Sequence, residues 1–402
     1  MKYVVVLGDG MADEPIEELG GKTPLAYADT PNLDRVSKLS EIGMVHTVPE
    51  GMSPGSDTAN LSVMGYDPKI YYSGRSPLEA LSIGVPMKDT DVALRCNIVT
   101  VSEDQVPFEE KTIIDHSASE ISTEDCAVLL QEVAKVLANE TYQFYVGTSY
   151  RHCLIWNNGS VVELTPPHDV LGRTIGQYLP KEAVLRDMMK KSYEILVNHP
   201  INTERKKKGL NPANCCWFWG AGTKPMLSSF EKKTGKKGMM VSAVDLLKGI
   251  AVGAGMGVAL VEGANGGLHT NYAGKVDAAV KSLLDEGYDF AYIHVEAPDE
   301  MGHQGSVEKK VQAIESLDKQ VIGPVMEKLE AAGAEYRLLV LPDHPTPIRV
   351  RTHTSDSVPY LLYDSTAKQL HDWCYNEAQA KQSGNYEPTG HLLIDRFLQI
   401  DK

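Results

Sequence analysis

The sequence predicts an α/β core interrupted by an inserted α+β segment, and three observations carry that prediction. Apolar runs near both ends of the chain stop at acidic residues, as in Val4-Val5-Val6-Leu7 before Gly8-Asp9 and Leu338-Leu339-Val340-Leu341 before Pro342-Asp343. Segments with helical periodicity alternate with such runs, the pattern that builds a mostly parallel sheet. Between about residues 91 and 240 the texture changes to short alternating strands and scattered helices. With 402 residues there is room for two or three domains, each with its own core.

Taken in order, residues 4–7 read as a strand buried on both faces, with Asp9 at its carboxyl end. Thr30-Pro31 opens a helix with Leu33, Val36 and Leu39 on one face, ending near Gly43. The stretch through Gly65-Tyr66-Asp67-Pro68 and Ser73-Gly74-Arg75-Ser76-Pro77 reads as functional loop rather than core. In the middle segment, strands are expected over 93–101, 142–146 and 153–156 and a helix over 124–139. The basic runs 205–208 and 232–238 read as solvated surface, the second rich enough in Lys and Gly to serve as a hinge. Beyond residue 240, helices are expected over 241–252 and 276–284 and strands over 258–261, 290–295 and 337–341. A long helix over 306–332 should kink at Gly323-Pro324.

Composition narrows the function. A net charge of −15 argues against nucleic acid or an anionic membrane as partner, yet leaves room for an anionic substrate held by a local cluster of metal, Lys and Arg. The six cysteines show no CxxC spacing, and the apolar start is too short for a signal-peptide core, so a soluble protein of the reducing cytoplasm is expected.

The chemistry centres on Gly51-Met52-Ser53-Pro54-Gly55-Ser56-Asp57-Thr58-Ala59-Asn60. Ser56 reads as a nucleophile, Gly55 lets the backbone approach a ligand, and Thr58-Ala59-Asn60 could open a helix whose first N–H groups face a phosphate. Gly/Ser/Pro clusters are also ordinary turns, so the reading leans on residues elsewhere. Candidate metal ligands follow three predicted strands: Asp9, then Asp299 with His303, then Asp343-His344, with His353 in a later loop. Open α/β sheets bind ligands at the carboxyl ends of their strands, where these distant residues could converge. Singly, a strand-end Asp is often a helix cap and a lone His a satisfied polar residue; together they favour a site for two divalent ions.

These motifs, with Tyr72-Ser73-Gly74-Arg75-Ser76-Pro77-Leu78-Glu79-Ala80 and Gly263-Ala264-Asn265-Gly266-Gly267, resemble nearly end to end the cofactor-independent phosphoglycerate mutases of the archaeal type, members of the alkaline phosphatase superfamily. The resemblance implies an alkaline-phosphatase-like three-layer core over 1–87 and 236–402, and an inserted α+β lid domain over 88–235 that closes on the substrate. It implies one ion held by Asp9, Ser56, Asp343 and His344 and another by Asp299, His303 and His353, with Mn2+ expected and Zn2+, Co2+ or Mg2+ as alternatives. Lys248 resembles the lysine that reaches the phosphoryl group, and Arg151-His152 the substrate-binding stretch. Arg75 and Arg151 are candidates for the substrate carboxylate and Asp115 for the acid/base group. The chain departs from many relatives in having Ser76 where they carry Gly.

The implied reaction is phosphoryl transfer between the 3- and 2-hydroxyls of glycerate through a phosphoserine. The expected partner is a small phosphorylated hydroxy acid, with neither nucleic acid nor membrane, and with a homo-oligomer left open. A homoserine kinase or a phosphatase on the same metal core is the alternative, since core motifs do not fix the acceptor; a non-catalytic phosphate-binding protein is disfavoured by the intact Ser56. Gly253-Ala254-Gly255-Met256-Gly257 misses the dinucleotide spacing, and Gly274-Lys275 lacks the Walker pattern.

Overall fold

The unbroken apolar run of β1 (Lys2–Gly8) is buried on both faces, with Val4, Val5, Val6 and Leu7 fully shielded. The computed structural model describes residues 1–400. Among them the further strands are β2 (Glu41–Val45), β3 (Val92–Val101), β4 (Ile113–Asp115), β5 (Tyr142–Thr148), β6 (Arg151–Trp156), β7 (Cys215–Thr223), β8 (Gly238–Val241), β9 (Gly257–Ala259), β10 (Phe290–Val295), β11 (Tyr336–Leu341), β12 (Val358–Asp364) and β13 (Tyr386–Glu387). Two compact units result, 1–72 with 227–402 and 73–226.

The first unit is built on an eight-stranded sheet in the order β13-β2-β12-β11-β1-β10-β8-β9. From β11 through β9 the strands run parallel, while β12 is antiparallel to both of its neighbours. On one face Val4, Val6, Ala291 and Ile293 pack with Val276, Leu317 and Val325 from three helices in a single core. On the other, Tyr3 meets Phe397 at 5.7 Å between ring centroids and Phe290 meets Phe230 at 4.8 Å. Helices on both faces give three layers, the α/β architecture expected. Because β11, β1 and β10 are adjacent and parallel, their carboxyl ends lie side by side at one edge of the sheet.

The second unit is α+β. Its five strands pair antiparallel, with β3 at the centre against β4, β6 and β7. Helices Thr123–Leu137 and Ala183–Leu196 supply Leu129, Val133, Leu185 and Met189 to its core.

Several local expectations change. The helix after Pro31 ends at Ser37, and Gly43 lies in β2, where a Cβ would strike Asn385 and Tyr360. Residues 75–77 are helix rather than loop: the helix Arg75–Ser82 buries Ser76, Pro77 and Leu78 and packs on β3 and β7, and residues 73–87 belong with the second unit. Its start lacks a capping side chain, which hides it in the sequence. The basic segment 232–238 sits within the first unit, at the end of helix Phe230–Thr234 and the start of β8. The helix expected over 241–252 is the helix Asp245–Gly253, which starts four residues later because Val241 still belongs to β8.

Candidate active site

Asp9 follows β1 directly, and Gly10 turns the chain at φ +59°, where a Cβ would meet Thr346 and Asp299. Asp299 and His303 lie on helix Ala297–Gln304, which begins where β10 ends, and Asp343-His344 follow β11. Ser56 is the first residue of helix Ser56–Val63, two positions earlier than expected, with Gly55 as its N-cap in an extended conformation. Three adjacent parallel strands and one helix start thus bring together residues separated by more than 300 positions in sequence.

The first cluster joins Asp9, Asp343 and His344, with ligand atoms all within 4.8 Å of one another. His344 Nε2 lies 3.1 Å from Ser56 Oγ, 3.5 Å from Asp9 Oδ1 and 3.4 Å from Asp343 Oδ2. Asp343 Oδ1 accepts the backbone N–H groups of Gly10 and His344. Asp9 Oδ1 is buried and receives no hydrogen bond. Such an acceptor costs about 1–3 kcal/mol unless something electropositive meets it. Burial, and then the charges of Asp343, Asp299 and Glu296, push Asp9 well above the usual carboxylate range. A buried group of converging acids, one with an orphaned oxygen, fits a divalent cation.

The second cluster joins Asp299, His353 and His303. His303 Nε2 is 3.2 Å from Asp299 Oδ2, His353 Nε2 is 3.4 Å from Asp299 Oδ1, and the two Nε2 atoms face each other at 3.0 Å. Burial would raise Asp299, but hydrogen bonds with His303 and His353 outweigh it and hold the carboxyl well below its ordinary range. The hydrogen bond to Asp299 lifts His303 to about 9. His344 links the two clusters, its ring stacked on that of His353 at 3.9 Å. One carboxylate and two imidazoles converging on a point suit Mn2+ or Zn2+.

A family model described as 2,3-bisphosphoglycerate-independent phosphoglycerate mutase matches residues 37–202. A Geobacter sulfurreducens protein named probable 2,3-bisphosphoglycerate-independent phosphoglycerate mutase is 46% identical over 404 residues, covering 99% of this chain and 100% of its own. A Methanosarcina barkeri protein named 2,3-bisphosphoglycerate-independent phosphoglycerate mutase is 48% identical over 368 residues, or 90% of each chain. The chain belongs to the 2,3-bisphosphoglycerate-independent phosphoglycerate mutase family. A solved structure from Pyrococcus horikoshii superposes with a TM-score of 0.82 at 29% identity, covering 100% of this chain and 98% of the other. The cofactor-independent phosphoglycerate mutase of Thermoplasma acidophilum shares the fold, with a TM-score of 0.65 at 24% identity and full coverage of both chains.

The remaining expected residues of this phosphoglycerate mutase homologue lie outside the two clusters. Lys248 sits on helix Asp245–Gly253, which packs against helix Ser56–Val63, with its Nζ 2.7 Å from Asp245. Arg75 and Arg151 are exposed on the second unit, Arg75 beside Glu79 at 3.3 Å and Arg151 over the Tyr150 ring at 5.6 Å. His152 is buried and both ring nitrogens are engaged: Nδ1 accepts the Gly147 N–H at 3.0 Å and Nε2 meets Cys126 Sγ at 3.0 Å. It holds the β5–β6 turn and has no nitrogen left for a substrate. Asp115 accepts from Ser117, Ser119 and Asn211, and so shapes a turn.

The roles of three further residues at the centre escaped sequence reasoning. Thr346 donates its hydroxyl to Asp299, Asn60 bonds Asp343, and His294 reaches Asp9. The available signal was His294 itself, an imidazole inside the apolar strand Phe290–Val295.

Proposed function

We propose that the chain interconverts 3-phosphoglycerate and 2-phosphoglycerate through a phosphoserine at Ser56. One cation would be held by Asp9, Ser56, Asp343 and His344 and a second by Asp299, His303 and His353, with Mn2+ the expected ion. The observation that carries this reading is Ser56 Oγ, 3.1 Å from the imidazole that links both acid clusters. When bound, the cations neutralise the phosphoryl oxygens and favour the ionised serine. Ser56 Oγ forms the new bond to phosphorus as the bond to the 3-oxygen of glycerate breaks. The 2-hydroxyl of the retained glycerate then takes the phosphoryl group back and frees Ser56. Lys248 adds positive charge toward the transferring group.

The inserted unit is read as a substrate-holding lid. It contributes none of the candidate metal ligands, and it carries Arg75 and Arg151 for the substrate carboxylate. A cytoplasmic setting fits six free cysteines, five of them buried. Among the described residues, no helix is long and apolar enough to cross a membrane. The deciding experiment supplies purified protein and Mn2+ with 3-phosphoglycerate in an enolase-coupled assay, in parallel with ATP and homoserine. Turnover is expected in the first only; product in the second alone overturns the mutase reading.

A further inference from the structure

Side chains alternate along a strand, so Tyr292 and His294 of β10 project to the same face. Both are fully buried beneath the first acid cluster. His294 Nε2 lies 2.9 Å from Asp9 Oδ2, and its Nδ1 lies 3.2 Å from Ser242 Oγ. A ligand carboxylate only accepts, so with Asp9 read as a ligand the facing Nε2 carries the proton; Nδ1 is then an acceptor that the Ser242 hydroxyl meets as donor while its Oγ accepts the Val244 N–H at 3.0 Å. In that tautomer Nε2 is a donor to Asp9 and offers no lone pair to a cation. Tyr292 donates its hydroxyl to Asn60 Oδ1 at 2.6 Å, and Asn60 Nδ2 donates to Asp343 Oδ2 at 2.9 Å and to the Ser56 carbonyl at 2.8 Å.

We propose that β10 is the positioning element of the first cation site, with His294 engaging Asp9 Oδ2 so that Oδ1 alone is presented, and Tyr292 fixing Asp343 through Asn60. The proposal rests on the reading of Asp9 and Asp343 as ligands. His294 is a positioning residue: it stands within hydrogen-bond reach of a ligand carboxylate, as a candidate ligand would, but its facing nitrogen carries the proton. Partners that orient a ligand in this way change metal affinity by roughly 10- to 100-fold when removed.

The test is Mn2+ titration of metal-stripped protein by calorimetry and electron paramagnetic resonance, in wild type, His294→Leu, His294→Gln and Tyr292→Phe. Wild type should take up two ions. His294→Leu should weaken one of them about 10- to 100-fold and leave the other unchanged. His294→Gln, whose amide N–H can reach the same oxygen, should restore most of the loss, and Tyr292→Phe should weaken the same ion to a lesser degree. Unchanged affinities in His294→Leu overturn the proposal, as does a glutamine variant no better than the leucine one, since packing alone would then explain the effect. Wild type that binds no Mn2+ overturns the ligand reading itself, a distinct result. Should His294→Leu fail to fold, Ser242→Ala replaces it. Freeing the tautomer there should weaken the same ion severalfold, and an unchanged affinity overturns the proposal.

Discussion

Lys310 Nζ lies 2.8 Å from Asp13 Oδ2, and both side chains are sealed from solvent. The same ammonium donates to the carbonyls of Ala12 and Thr346, so that one lysine of helix Val307–Leu317 ties together the loops that follow β1 and β11. Removing one partner of a buried pair leaves the other charge unpaired, at about 3–5 kcal/mol. Lys310→Met is therefore expected to lower unfolding free energy by that amount in urea titrations, and adding Asp13→Leu should recover part of the loss. A single variant as stable as wild type would show that the pair does not hold these loops.

Ser56→Ala should abolish mutase turnover while the protein remains folded by circular dichroism. Wild type quenched during turnover should yield a phosphoserine at position 56 by mass spectrometry. More than a few per cent of activity in the alanine variant removes Ser56 from the reaction.

Chelation should silence the protein, and Mn2+, Co2+ or Zn2+ should restore it. Asp343→Ala and His303→Ala are expected to reduce bound metal measured by atomic emission, each affecting a different ion. The loss of rate should correspond to several kcal/mol, the scale expected when charge neutralisation by a bound cation is removed from a transferring phosphoryl group. Full activity in metal-free protein would sink the two-ion reading.

Asp115 gives a pH dependence with a definite sign. Burial works to raise its pKa, but hydrogen bonds from Asn211, Ser117 and Ser119 outweigh it and bring the carboxyl down to about 2. The folded value lies below the unfolded one, so the stabilisation is complete above the ordinary Asp range and is lost as pH falls toward about 2. The group is only half-buried, and screening by solvent reduces its contribution to about 1 kcal/mol. The stability gap between wild type and Asp115→Ala, measured in urea, should be widest near neutrality and should narrow below pH ~4. A gap that stays constant with pH would mean that the turn needs the side chain but not its charge.

How far the sequence was legible follows from where each partner lies. Asp9 and Asp343 could be read because each ends an apolar strand, a local pattern, and adjacent parallel strands do the rest. The long helix expected over 306–332 shows the limit: it is Val307–Leu317, a π turn over Asp318–Ile322, then Gly323–Ala331. Pro324 announced a break, since it lacks an N–H. Nothing local announced that Asp318 would accept the N–H groups of Asn32 and Leu33 and cap the helix Pro31–Ser37. Lys310 has the same character, a charged residue on a helix whose partners are hundreds of positions away in Asp13 and Ala12. His152 misled for the opposite reason, because neighbours in sequence such as exposed Arg151 and buried His152 point to opposite faces of β6.

A mutase and a hydrolase on the same metal core differ in what they must do with water. A phosphoserine beside two cations is open to attack by water, so a mutase must retain glycerate and exclude water until the second hydroxyl attacks, whereas a hydrolase needs neither. The chain devotes residues 73–226 to a unit with its own sheet and core and with none of the candidate metal ligands, which is a costly addition for simple hydrolysis. Contacts between the substrate carboxylate and exposed Arg151 are expected to drive closure, because a guanidinium can grip a carboxylate through two hydrogen bonds. Arg151→Ala should then reduce mutase turnover about 10- to 100-fold, in the range of one lost charged hydrogen-bonded contact, while hydrolysis of p-nitrophenyl phosphate falls much less. The variant should also release more inorganic phosphate per mutase turnover, as glycerate escapes and water reaches the phosphoserine. If the two activities fall together and phosphate release does not rise, Arg151 is not a substrate-holding residue, and the unit that carries it must serve some purpose other than retention.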